Sequence, residues 1–309
     1  MKTDAPVLVL GTAGVDVVGR LYDDLQAGSS SPAKIRFSFG GVARNVAENL
    51  ARLGHEVNLI TAVGSGYFGD QLLRQLTDAG VKHNLSIRTE EPTGSYIAVL
   101  SEGEKQFTLD DMRAIDSLEP AHLRENYQLF KDSSLLFIDA NLPNPVLKTV
   151  FSLAKRARLP VVADPTSISL ANRLLDYMPE LFIITPNSSE AGVYCESVFD
   201  DCDQQQAIEA AKLLVSKGVE IAIITLSEFG VCYATTDTSG YIPAIHTEII
   251  DPTGAGDALT AMVMSGLLNE IPIDEAIRLG VSAASLTLRH NGAVVPDLSL
   301  EKLYDNLVF

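Results

Sequence analysis

Apolar positions along the chain fall into two patterns. Short apolar runs at residues 7–10, 57–63 (interrupted by Asn58 and Thr61), 135–139, 161–164, 181–185 and 221–225 show no strict polar alternation, as expected of strands buried on both faces of a sheet. Longer stretches between them repeat with a period of about 3.6 residues. In residues 42–53, Val42, Val46, Leu50 and Leu53 share one helical face, and Gly54 ends the pattern. Residues 69–79 repeat it, with Gly80 as the stop; 144–157, 204–217, 255–268 and 274–289 read as further helices. Strands alternating with helices form crossover units, so the fold class is α/β: a mostly parallel sheet covered by helices on both sides.

Two segments break the rhythm. Residues 12–39 hold extended pieces at 15–18 and 35–39 around a Gly/Ser-rich link. Residues 93–110 hold pieces at 96–100 and 106–109 around Glu102-Gly-Glu, a hairpin signal. Neither has a helical period, so both are expected in a small β-sheet apart from the main one, a lid over a ligand cleft. The division is then an α/β domain from 1–11, 40–92 and 111–309, with 12–39 and 93–110 as the lid. An exposed edge of the lid sheet offers a pairing surface to a second copy, hence a homodimer through the lid.

Totals narrow the function classes. A chain of 309 residues with 46% hydrophobic and 20% charged residues can bury a large core. The net charge of −17 argues against a nucleic-acid or anionic-membrane surface. It leaves room for a small anion, because a few oriented amides or one metal ion reverse the local field. No apolar run approaches the ~20 residues of a spanning helix. The first residues carry no signal-peptide pattern. The three cysteines, 195, 202 and 232, are odd in number and form no Cys-x-x-Cys. They read as reduced and structural, in a cytoplasmic setting.

Ligands of open parallel sheets bind beyond the carboxyl ends of the strands. There the sequence places Asp139 and Asn141, Asp164, Asn187 and Glu190, Thr225 and Ser227, and Asp251 through Asp257. Asn187-Ser-Ser-Glu190 is either a helix cap or a pair of oxygen groups near a hydrated Mg²⁺. Asp251-Pro-Thr-Gly-Ala-Gly-Asp257 enters an apolar helix. It is either a turn with an acidic first-turn residue, or an anion hole of bare amides at Gly254, Ala255 and Gly256 with Asp257 as a base beside it. The Gly40-Gly41 pair, with Asn45 following and Asp16 upstream, is either a flexible turn with a solvated acid or a holder of polyol hydroxyls. No Gly-x4-Gly-Lys-Ser/Thr, full Gly-x-Gly-x-x-Gly or Gly-x-Ser-x-Gly occurs, and the five histidines are scattered.

These stretches resemble the two signatures of the PfkB (ribokinase-like) carbohydrate kinases. Asp251-Pro-Thr-Gly-Ala-Gly-Asp257-Ala is similar to the C-terminal one. Gly40-Gly41-Val-Ala-Arg-Asn45-Val-Ala-Glu-Asn-Leu-Ala-Arg-Leu-Gly54 is similar to the N-terminal one, and Thr185-Pro-Asn187-Ser-Ser-Glu190 to the Asn-x-x-Glu motif. Order and spacing agree along essentially the whole chain. The resemblance implies a ribokinase-like three-layer α/β/α domain with a β-sheet lid, using ATP and Mg²⁺ on small-molecule substrates. It implies Asp257 as the base that takes the acceptor's proton, and Gly254, Ala255 and Gly256 as the hole for the γ-phosphate. It implies Asn187 and Glu190 around metal, water and phosphate, with Glu190 reaching Mg²⁺ through water. Thr225, Ser227, Gly230 and Thr253 are implied in the nucleotide site, and Asp16, Gly40, Gly41 and Asn45 at the acceptor. Some relatives bind a monovalent cation such as K⁺ near the position of Asp251.

A narrower resemblance, carried by Ser31-Pro-Ala-Lys34 through Asn49, by Asp110-Asp111-Met112 and by Asn291-Gly-Ala-Val-Val-Pro, is to the pseudouridine kinase branch. It implies transfer to a ribose 5′-hydroxyl and adds Asp111 to the acceptor site. Ala43 stands where a third glycine is usual, and Val281 replaces a polar residue near the adenine of relatives. A nucleoside needs room for its base beneath the lid, which Phe37, Phe39, Tyr96 and Met112 could line. The other readings are a kinase of a free sugar (ribose, fructose or a sugar acid) and a non-catalytic sensor on the same fold.

Overall fold

The structure, a computed structural model, describes residues 5–25, 28–101, 104–197 and 200–307. Strands in chain order are β1 (Val7–Leu10), β2 (Gly14–Leu21), β3 (Ala33–Gly40), β4 (Val57–Ile60), β5 (Ala62–Gly64), β6 (Ile87–Thr89) and β7 (Gly94–Ser101). They continue with β8 (Glu104–Asp111), β9 (Leu135–Asp139), β10 (Val161–Asp164), β11 (Ile183–Ile184), β12 (Ile221–Thr225), β13 (Val231–Thr235) and β14 (Ser239–Ile242).

An eight-stranded sheet runs β14-β13-β12-β11-β10-β9-β1-β4. The pairs from β12 through β4 are parallel, while β13 and β14 return antiparallel. The short apolar runs follow from this placement. Leu8 and Leu10 of β1 pack on one face with Leu136, Ile138 and the helix Asn144–Ala157. Val7 and Val9 pack on the other with Phe137 and the helices Val42–Arg52 and Ala255–Leu268. Both faces are covered, giving the three layers expected of an α/β fold.

The expected 57–63 strand is two strands. It leaves the main sheet at Thr61, and 62–64 pairs with β6 instead. The expected 181–185 strand is reduced to Ile183–Ile184.

The segments expected to form a lid make a second sheet, β3-β2-β7-β8, with β2 and β7 parallel at its centre. Its strands run a little past the expected pieces. The tip of the β7–β8 hairpin, Glu102 and Gly103, lies outside the described residues. Side chains alternate between its faces. Asp16, Val18, Tyr96 and Ala98 point into a cleft, while Val15 and Phe37 line a separate cavity on the other side. No helix among the described residues is long and apolar enough to cross a membrane. Cys195, Cys202 and Cys232 are unbridged.

Candidate active site

Strand order reverses between β1 and β9, where β1 continues to β4 on one side and β9 to β10 on the other. Open α/β sheets bind ligands at such a switch point. Here Asp139, fully buried at the end of β9, accepts from Thr12 N at 2.6 Å, Thr12 Oγ1 at 2.8 Å and Ala43 N at 3.3 Å. It thereby ties the loop after β1 to the start of the helix Val42–Arg52. Burial raises the Asp139 carboxyl despite these donors.

The Gly40-Gly41 pair has steric reasons to be glycine. A Cβ on Gly40 would lie 2.0 Å from Asp16 Oδ2, and one on Gly41 would lie 2.6 Å from the Thr12 carbonyl. Gly41 also has φ 97°, a left-handed value that disfavours side chains. The pair lets the buried Asp16 carboxylate reach the cavity. Burial pushes Asp16 up to about 6, against the pull of Arg44 and Arg36.

From the other side comes the helix Ala255–Leu268, capped by Gly254 at φ 80°. A Cβ on Gly254 would lie 2.2 Å from the Ala293 carbonyl, whereas one on Gly256 would meet nothing within 4 Å. The loop therefore adopts this conformation without strain only with glycine at 254, and position 256 is open. Asp257, in the first turn, accepts from Asn45 Nδ2 at 2.7 Å, which joins the two glycine-bearing stretches. Burial pushes its carboxyl up to about 7; the Asn45 hydrogen bond pulls it down, and the charges of Asp16 and Asp139 add to the rise.

The loop 251–257 divides two cavities. One, of about 550 Å³, is lined by Asp16, Gly41, Asn45, Thr253, Gly254 and Asp257, with Tyr96 and Met112 of the lid above. Its far end holds Arg113, Asp116, Ser169 and Arg173, which the sequence reading did not single out. The other, of about 430 Å³, is lined by Thr225, Ser227, Gly230, Ala255, Gly256 and Val281, among others. Two buried hydroxyls on its wall, Thr247 and Ser285, have no protein partner, so Ser285 brings polarity one helical turn from the apolar Val281. Helix-start amides at one dividing wall, with a carboxylate on the far side, suit transfer of an anionic group between two bound molecules.

Several expected residues stand elsewhere. Asp111 faces away from the cavity, because strand alternation turns its neighbour Asp110 inward. Its carboxylate is held below the usual range by hydrogen bonds from Arg113, at 2.7 and 2.9 Å. Phe37 and Phe39 lie on the opposite lid face, so of the four residues expected beneath the lid Tyr96 and Met112 face the large cavity, beside Val18, Ala98 and Leu100. Gly40 shapes the cavity without lining it, and Thr253 faces the larger cavity, not the other one.

Asn187 and Glu190 line neither cavity. They form a capping box: Glu190 N donates to Asn187 Oδ1 and Asn187 N to Glu190 Oε2, each at 2.9 Å. Burial raises Glu190. Asp164 is raised well above the usual range by burial and then by the charges of Glu190 and Asp257. Among the described residues no group of three or more His, Cys, Asp or Glu is arranged to hold a metal ion. Two neighbouring carboxylates fit a hydrated Mg²⁺ that takes its other ligands from water and phosphate. Asp251, expected beside a cation, instead pairs with Arg36 of β3.

The profile described as "pfkB family carbohydrate kinase" matches residues 4–299. The chain is 29% identical to the pseudouridine kinase of Escherichia coli (strain K12) over 97% of its length and 96% of that protein's. It is 28% identical to the guanosine-inosine kinase of Exiguobacterium acetylicum, over 94% and 97%. The Arabidopsis thaliana ribokinase complexed with ribose and ATP superposes with a TM-score of 0.84 at 20% identity, over 99% of both chains.

Proposed function

The chain belongs to the pfkB family of carbohydrate kinases, and from that premise we propose that it transfers the γ-phosphoryl group of ATP to the 5′-hydroxyl of a ribonucleoside, pseudouridine first. The enzyme class, a kinase with a hydroxyl acceptor, comes with the family. The ribonucleoside reading is carried by the cavity beside Asp257. Its roughly 550 Å³ lies in the range of about 300–1,000 Å³ that buries drug-sized ligands, more than a pentose needs. Beyond the hydroxyl-binding Asp16 and Asn45 it offers Tyr96 and Met112 above and Ser169, Arg173 and Asp116 at its end. These are an apolar roof and hydrogen-bonding groups for the edge of a base.

In this reading ATP occupies the smaller cavity, with its γ-phosphate against the amides of Gly254, Ala255 and Gly256. Thr225, Ser227 and Gly230 border the nucleotide, and Asp16 and Asn45 orient the ribose. The Asp257 carboxylate takes the hydroxyl proton as the new oxygen–phosphorus bond forms and the bond to the ADP oxygen breaks. The amides and helix start receive the charge of the transferring group. Glu190 and Asp164 would hold Mg²⁺, which would supply charge neutralisation. Tyr96 and Met112 exclude water from the cleft, which disfavours ATP hydrolysis.

The test is incubation with ATP, Mg²⁺ and a panel of nucleosides and free sugars, with product masses read directly. Pseudouridine gaining one phosphate at its 5′ position is the expected result. Phosphorylation of ribose or fructose but of no nucleoside would refute it.

A further inference from the structure

The resemblance implies that some relatives bind a monovalent cation near the position of Asp251, and the residues here do not suit such an ion. Asp251 is 1% exposed, and its two oxygens are engaged. Oδ1 accepts from Thr253 N at 3.1 Å, and Oδ2 accepts from Gly292 N at 3.2 Å and from the Arg36 guanidinium. Arg36 also donates to Asn291 Oδ1 at 3.0 Å. Beside it, Arg20 of β2 donates to the Ile250 carbonyl. A cation on this carboxylate would share it with a fixed guanidinium. A buried carboxylate needs one compensating charge, and this one has it.

The Arg36 contact spans 215 positions of sequence and joins the lid to the core. On the core side, the same carboxylate shapes the turn into Gly254 through Thr253. Left alone, its negative charge would stand next to the incoming phosphate oxygens. We propose that Arg36 supplies the positive charge that some relatives take from a monovalent cation. The kinase then works without such an ion, and its anion hole is complete only while β3 lies against Asp251. Arg36 is a positioning residue: it touches Asp251 and Asn291, and acts on the phosphate site through them.

The full-length protein separates the outcomes. ATP turnover is measured in KCl and in tetramethylammonium chloride at equal ionic strength. Melting with Mg²⁺–ADP is measured in the same two salts, and this second readout needs no acceptor, so it stands even if pseudouridine is the wrong substrate. The wild type should change turnover by less than about twofold between the salts. Arg36→Gln should lose at least about tenfold in tetramethylammonium, recover in K⁺, and show a K⁺-dependent rise in melting temperature that the wild type lacks. Arg36→Lys, which keeps the charge, should stay closer to the wild type. Stimulation of the wild type by K⁺ of about tenfold or more overturns the proposal. So does an Arg36→Gln protein whose turnover and melting are both indifferent to the ion.

Discussion

With burial holding its carboxyl at about 7, Asp257 is half protonated near neutrality, and only the ionised form accepts a proton. Turnover should rise with pH along a limb centred near that value, read from kcat/KM against pH. Asp257→Asn should bind both substrates yet lose about 10²–10⁴ in kcat. The same shift has a stability consequence of opposite sense. From about pH 4 to 7 the folded state keeps a proton that the unfolded chain has released, so stability declines as pH rises through that window. Asp257→Asn removes that cost. It should be more stable than the wild type by about 1–3 kcal/mol at about pH 8 and nearly equal at about pH 4, measured by denaturant titration. The sequence marks Asp257 as a candidate base beside a candidate anion hole. It does not show the burial that sets its proton affinity, nor the Asn45 contact made across 212 positions. Asp111, expected at the acceptor site, turns from the cavity because strand parity is fixed by pairing with β7, which no local signal reveals.

Elements were legible where a period or a stop residue marks them. The helix Ala255–Leu268 begins and ends where its apolar stretch does, and the capping box at Asn187 is written in its spacing. The split at Thr61 was not legible, because residues 57–63 are apolar on both sides of the break and only the partner strand β6 separates them. Within the anion hole, two glycines are predicted to differ in what they protect. Gly254→Ala forces a Cβ into the Ala293 carbonyl at a left-handed φ and should destabilise by about 2 kcal/mol or more. Gly256→Ala meets no protein atom within 4 Å and should melt at or slightly above the wild-type temperature, alanine being favoured in a helix by up to ~1 kcal/mol. Its new methyl would occupy phosphate space, so it should still raise KM for ATP. Melting curves and steady-state kinetics on the same two proteins distinguish the roles.

For the whole molecule, alternation of apolar and polar segments revealed the layers and set the lid apart, but not which lid face is wet. The face turned from the cleft exposes Ile35, Phe37, Ile97, Phe107 and Leu109 from three of its four strands. An apolar patch across a sheet face is a surface for association. We propose a second copy of the chain as its occupant, since an apolar patch on one face, bordered by the Asp111–Arg113 ion pair, can pair with itself under twofold symmetry. Phe37→Asp should turn a dimer into a monomer in sedimentation equilibrium; a wild-type protein already monomeric at micromolar concentration would refute this.

All four lid strands join the core at one end, at Gly14, Gly40, Gly94 and Asp111, and their other ends run outward. The sheet is thus a cantilever with two side-chain ties to the core, Arg20 on the Ile250 carbonyl and Arg36 on Asp251, which a swing must break. Its eight-residue strands make an arm of about 25 Å at the usual rise, so a rotation of about 10° at the root sweeps the tip through roughly 4 Å. A paramagnetic or fluorescent label just past Leu21 would therefore register the swing far more strongly than one near Asp16.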